Sequence, residues 1–418
     1  MKNSWRSHVE FRRQTLDNGL EVIAECSPKA YSTALGFFVN TGSRDETDEI
    51  SGVSHFLEHM VFKGTPTRSA EDVNRELDEI GSQSNAFTSE EHTVYYARVL
   101  PENQSGATDL LSDIMRPSLR DDDFEMEKQV IIEEIAKYED QPPFGAFEKC
   151  MAAHFGSHPL GRSVLGTAET VGAMTSAQMR AYFEQRYSPG NIVLVASGNV
   201  DFERLVSDAK RNCGAWTPFK VTRETLRAAE HSGFQVIQKD SSAQEYVVQI
   251  ANGPAADDDD RYAARLMATI IGDDTGSRLF WELIDTGRAE FASISPYEFQ
   301  GTGVLMTYLA CMPEDTAECL EQIRVIFEQA QQSGLTEDEL LRAKSKICSD
   351  LVRHNESPAR RLFSVGNNWL QRKSYRTVRE TVESYQRVTL HEVHAILDKY
   401  PLTVSTTVAV GPVADIAT

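Results

Sequence analysis

Two stretches of this chain repeat one plan about 210 residues apart, and that duplication limits the possible folds more than any other feature. Thr175 caps a helix through Tyr187 that leads to a strand, Asn191 to Val200, containing Gly198. Thr389 likewise caps a helix leading to a strand, Thr403 to Val410, followed by Gly411. An apolar helical run ending at Gly64 is matched by Tyr262 to Ile271, which ends at Gly272. A period this long means two copies of a domain rather than a solenoid. At 418 residues the chain also exceeds what one hydrophobic core usually serves. The boundaries expected are 1–218 for the first domain, 219–233 for a polar linker, and 234–418 for the second.

Within the first copy, Asp17-Asn18-Gly19 marks a hairpin between Arg13 and Glu25, and Ser32 to Asn40 is a further strand. Ser69-Ala70-Glu71-Asp72 opens a helix that closes at Gly81. Ser84 to Thr88 and Thr93 to Leu100 are rich in strand-forming residues, and helices are expected over 101–115, 123–138 and 146–155. This mixture predicts an α+β class, each domain a mainly antiparallel sheet with helices packed on one face.

The helix before Gly64 carries His55-Phe56-Leu57-Glu58-His59. Histidines at i and i+4 stack on one helix face, so both imidazoles reach one metal. Glu58 shares that face and is placed to take a proton from a water polarised by the metal. Phe56, Leu57, Met60, Val61 and Phe62 make the helix apolar, and three polar side chains there would be costly to bury without a partner. In the second copy Ala263, Leu266 and Met267 stand at the positions of His55, Glu58 and His59, so it keeps the scaffold without the ligands.

Catalytic zinc takes three protein ligands and keeps one position open. The third ligand is sought in Phe124 to Ile135, whose apolar face is read as Val130, Ile131 and Ile135. Glu127, Ile131 and Glu134 share a stripe, seven residues being close to two turns. Spacing alone leaves Glu133 and Glu134 as alternatives, and leaves open that these acids are simply solvated.

Together, H-F-L-E-H at 55–59 and E-K-Q-V-I-I-E-E at 127–134 resemble the zinc peptidases of family M16, in the subfamily that includes the mitochondrial processing peptidase β subunit and bacterial relatives. Ser51 to His55, Phe62 to Thr65, Asn85 to Thr88 and His158 to Gly161 extend the resemblance over most of the chain. It implies one Zn2+ per chain on His55, His59 and Glu134, Glu58 as general base, and Glu127 as a supporting acid. It implies that Asn85, Ala86 and Phe87 form an edge strand pairing with the substrate backbone, a mode that tolerates varied side chains. It further implies a clamshell half, a peptide chamber enclosed between two such chains, and zinc-dependent endopeptidase activity. The pattern breaks in the second half. Active members carry Arg and Tyr seven residues apart, and those positions hold Ile284 and Phe291. Neither side chain donates a hydrogen bond to an oxyanion. Arg288 and Tyr297 lie nearby at a different spacing. Some relatives divide the labour between a zinc-bearing chain and a partner with the Arg/Tyr pair. A heterodimer of that kind is favoured, a homodimer being the alternative. A non-catalytic assembly subunit would be expected to carry a degraded H-x-x-E-H.

A net charge of -21 argues against nucleic acid as a partner. The acids cluster at Asp45 to Glu49, Asp121 to Glu127, Glu133-Glu134 and Asp257 to Asp260, read as a solvated surface or as a chamber attracting basic peptides. Six scattered cysteines without a C-x-x-C pair fit buried thiols in a reducing compartment. No apolar run approaches a membrane span, and Met1 to Asn18 lacks the core of a signal peptide. A bacterial cytoplasm is expected, a mature organellar matrix protein being the alternative.

Overall fold

The computed structural model describes residues 9–416, with the side chains of 142–144 left out; Met1 to His8, part of the N-terminal stretch read above, lie outside the described residues. It divides into two compact units.

The first unit holds a six-stranded sheet among the described residues. Its strands are β1 (Glu10–Thr15), β2 (Glu21–Cys26), β3 (Thr33–Val39), β4 (Gln83–Thr88), β5 (Thr93–Val99) and β6 (Ile192–Gly198), in the order β1-β2-β6-β3-β5-β4. The β2/β6 pair is parallel and the others are antiparallel. The second unit contains β7 (Gly233–Gln238), β8 (Glu245–Gly253), β9 (Ala289–Phe299), β10 (Thr302–Cys311) and β11 (Thr406–Gly411), in the order β7-β11-β8-β10-β9. Here too one pair, β7/β11, is parallel and the rest antiparallel. The second sheet repeats β2-β6-β3-β5-β4 strand for strand, and among the described residues has no counterpart of β1. Both repeat caps form as capping boxes, Thr175 with Gln178 and Thr389 with Glu392.

Most helices lie on one face of each sheet. In the first unit Leu35, Phe37, Tyr95 and Leu194 meet Phe56, Leu57 and Met60 of the motif helix, Leu110 and Ile114, and Leu205. Yet β3 and β6 are buried on both faces. The second face is closed by one helix, Pro358–Arg372, which puts Leu362, Val365 and Trp369 against Ile23, Phe38 and Val195. The second unit mirrors this: helix Pro142–Phe155 sets Cys150, Met151 and Phe155 against Val248, Ile250, Val408 and Val410. Each covering helix comes from the other half of the sequence. Hence the units combine 1–135, 162–223 and 353–376, and 136–161, 224–352 and 377–418.

Polar keys select the covering helix in the first unit. Glu25 on β2 is buried, and its carboxylate accepts from Arg361 Nε at 2.8 Å and from Tyr375 Oη at 2.7 Å. Glu21, four residues earlier on the same face, accepts from Trp369 Nε1 at 3.0 Å. A covering helix without Arg361 would bury the Glu25 carboxylate with no cation beside it. Gly366 allows the close approach: a Cβ there would lie 2.3 Å from a Phe38 ring carbon. Gly366→Ala is therefore expected to destabilise the protein by about 1–3 kcal/mol, although alanine is the better helix former. An unchanged or raised urea midpoint would show that the ring can move aside.

Candidate metal centre

The motif helix spans Val53–Val61. It starts at Gly52, whose φ of +93° suits glycine, and where a Cβ would sit 2.5 Å from the Leu165 carbonyl oxygen. No side chain at that position caps the helix. Glu46 does so from outside, accepting from Gly52 N and Ser54 N at 2.7 Å each. Burial pushes the Glu46 carboxyl up to about 7, against the pull of those two donors. The run Asp45 to Glu49 is thus not uniformly a solvated surface. The Asp45 side chain is 2% exposed between Arg186 and Arg223, whereas Asp48 and Glu49 are exposed. The acids near the start of Asp121–Glu139 divide in the same way, with Asp121 and Asp122 exposed and Glu127 buried.

Helix Asp121–Glu139 brings in the third donor. Its buried stripe is Phe124, Glu127, Ile131 and Ile135. Val130, read from sequence as part of the apolar face, is 48% exposed, because it lies 100° around the helix from Ile131. Glu133 is exposed by the same rotation, while Glu134 turns toward the histidines.

One donor atom each from His55, His59 and Glu134 lies within 4.8 Å of the others, and no other group of three such residues was found among the described residues. Glu134 Oε2 stands 3.8 Å from His55 Nε2 and 3.5 Å from His59 Nε2. Both gaps are too long for a hydrogen bond. They are close to the roughly 3.3 Å that separates two ligands at tetrahedral angles on zinc with bonds near 2.05 Å. His55 is nearly buried, and desolvation, aided by the neighbouring His59, drives its pKa down to about 3, so it offers a neutral imidazole. Its Nδ1 is buried without a hydrogen-bond partner, leaving Nε2 as the ring atom facing the other donors. These donors fit a zinc ion.

His59 is held from behind. Its Nδ1 lies 2.8 Å from Glu127 Oε1, while Glu127 Oε2 pairs with Lys63 Nζ. Burial alone would lower the His59 pKa, but Glu127, Glu134 and Glu58 together raise it. Burial would likewise raise Glu127, but hydrogen bonds from His59 and Lys63 lower it. Glu58 is raised by burial, opposed by a hydrogen bond from Thr88 and by His59. A carboxyl raised toward neutrality is poised for proton transfer.

Asn85, Ala86 and Phe87 lie on β4, the edge strand of the first sheet, which pairs with β5 alone. Sequence reasoning gave no role to Thr88, Lys63 or Glu46. Thr88 directly follows Asn85-Ala86-Phe87 in the Asn85 to Thr88 stretch, and Lys63 stands four residues beyond His59, a spacing that hints at a shared face. Nothing in the sequence distinguishes Glu46 from its acidic neighbours.

Ile284 and Phe291 belong to the second unit. Ile284 closes a π-helical turn, Phe280–Ile284, and Phe291 is partly exposed on β9, 5.6 Å from the Tyr308 ring. Of the alternative donors, Arg288 pairs with Glu318 at 2.9 Å, and Tyr297 packs 6.1 Å from Phe147.

A two-domain α+β chain with an H-x-x-E-H helix and a glutamate on a second helix defines a class of metal-dependent hydrolase. The insulinase-type Peptidase family M16 model matches residues 21–168, and the Peptidase M16 inactive domain model matches 173–347. An uncharacterized zinc protease of Mycobacterium tuberculosis is 35% identical over 392 residues, 92% of this chain and 89% of that protein. An uncharacterized zinc protease of Bacillus subtilis is 30% identical over 387 residues, 92% of this chain and 94% of its own length. The crystal structure of a protease from Helicobacter pylori has a TM-score of 0.90 at 23% identity, covering 97% of this chain and 100% of that one. This chain belongs to peptidase family M16. Among the described residues, no helix is long and apolar enough to cross a membrane.

Proposed function

We propose that the protein is a zinc endopeptidase acting on extended peptides or unfolded segments. His55, His59 and Glu134 hold one zinc ion, Glu58 is the general base, and Glu127 orients His59. The observation that carries this reading is the approach of three donors to within 4.8 Å beside Glu58. When bound, zinc supplies a Lewis acid that polarises the scissile carbonyl and acidifies water. Glu58 takes the proton of the attacking water and returns it to the leaving amine. Glu127, itself held by Lys63, accepts from His59 Nδ1 and so fixes that ring with Nε2 toward the site. The open edge of β4 takes up the substrate backbone at Asn85, Ala86 and Phe87.

Ile284 and Phe291 give the chain no oxyanion donor at those positions, and a single such donor is worth about 3 kcal/mol of transition-state stabilisation. We read the chain as the zinc-bearing member of a two-chain enzyme in the cytoplasm, its partner a chain of the same fold carrying the Arg and Tyr. Zinc content is the direct test. The purified chain is expected to hold one zinc, and peptide cleavage by the pair to stop on chelation and return with zinc. A chain unable to take up metal would instead favour an assembly role. Activity of this chain alone equal to that of the pair would remove the divided-labour reading.

A further inference from the structure

Thr88 ends β4, and its Oγ1 donates to Glu58 Oε2 at 2.6 Å. The same hydroxyl lies 3.4 Å from Thr93 Oγ1. Thr93 is already committed, donating to the Thr41 carbonyl at 3.0 Å. The single proton of Thr88 therefore goes to the nearer, charged acceptor, where the bond is strongest.

The anchor is rigid for three reasons. Thr88 is β-branched, so its χ1 is stiff. It is paired in register with Thr93 of β5. It is followed at once by a tight turn, in which Ser89 N donates to the His92 carbonyl at 2.9 Å and Ser89 Oγ donates to the same oxygen at 3.0 Å. Glu58, by contrast, is a long side chain on a helix with three rotatable bonds of its own. Tying one oxygen to a strand removes most of that freedom and leaves the other oxygen to meet the water.

We infer that Thr88 is the positioning residue of the base: it fixes the Glu58 carboxylate from the strand that receives the substrate, so that peptide register and base orientation share one rigid element. This rests on the reading of Glu58 as general base and adds to it the residue that aims the carboxylate. The consequence is specific to turnover. Thr88 is not one of the three zinc donors, and its hydroxyl is spent on Glu58 rather than on the peptide.

The experiment compares Thr88→Val and Thr88→Ser in the full chain, assayed with its partner where one is required. Valine keeps the shape and loses the donor, while serine keeps the donor. A base misplaced by about 1 Å costs on the order of a hundredfold. Thr88→Val is thus expected to lower kcat by roughly ten- to a hundredfold, with KM within about twofold and one zinc still bound. Thr88→Ser is expected to stay within about threefold of the parent. A crystal structure of Thr88→Val should show the Glu58 carboxylate in more than one orientation. An unchanged kcat in Thr88→Val would overturn the inference, as would a rise in KM alone, loss of zinc, or failure of serine to restore turnover. Glu58→Gln separates the two layers. If that variant is inactive and Thr88→Val is normal, the base reading survives and the positioning role does not; if Glu58→Gln is active, both go.

Discussion

Glu58→Gln is expected to reduce peptide hydrolysis by a factor of about 10² to 10⁴ while zinc remains bound at one per chain. The substitution removes the proton acceptor and preserves size. His55, His59 and Glu134 are untouched, and the glutamine carbonyl can still accept from Thr88, so neither the donor geometry nor the fold should change. The measurement is kcat/KM on an unstructured peptide, alongside zinc per chain. Turnover at the parental rate would remove Glu58 as the base. Loss of zinc together with activity would make Glu58 a ligand, in conflict with its bond to the strand.

Asp45→Ala is expected to cost far more stability than Asp48→Ala three residues on. Asp45 Oδ1 lies 2.6 Å from Arg186 Nη2 and accepts from Arg223 Nε at 2.9 Å, and Oδ2 accepts from Gly42 N at 3.1 Å. Both arginine side chains are largely buried. Deleting the carboxylate removes the anion that bridges two largely buried guanidiniums, which keep only hydrogen bonds to neutral groups such as Asn40, Thr41 and Thr222 and the more distant charge of Glu91. It also strands a backbone donor, and breaking a buried pair this way costs about 3–5 kcal/mol. Asp48→Ala is the control. That side chain is exposed where it pairs with Arg162, so its loss should stay within about 1 kcal/mol. Equal urea midpoints for the two variants would mean that Asp45 is no more structural than its neighbours.

The contrast between Asp45 and Asp48 marks where sequence reading ends. Both stand in one acidic run, and composition reads the run as surface. Which acids turn inward depends on Arg186 and Arg223, well over a hundred residues away, and on the need of the motif helix for the N-terminal cap that Glu46 supplies. Val130 teaches the same lesson on a smaller scale. An apolar residue next to Ile131 looks like core, but the helix turns it outward and brings Glu134 toward the histidines instead.

The sequence by itself determined the duplicated plan, the helix caps Thr175 and Thr389, the helix carrying His55, Glu58 and His59, and the short list in which the third donor was sought. Each is written in local spacing, turn chemistry or an offset between copies, so no distant contact is needed to read it. Spacing left Glu133 and Glu134 as alternatives, the resemblance to family M16 implied Glu134, and the tertiary structure turns that one toward the histidines. It alone tied Thr88 to Glu58 and Lys63 to Glu127, and laid a helix from each half of the chain across the sheet built mainly from the other. Those outcomes depend on which distant surfaces find partners for buried charge and apolar faces, a balance set by packing in three dimensions and by no pattern within a few turns of chain.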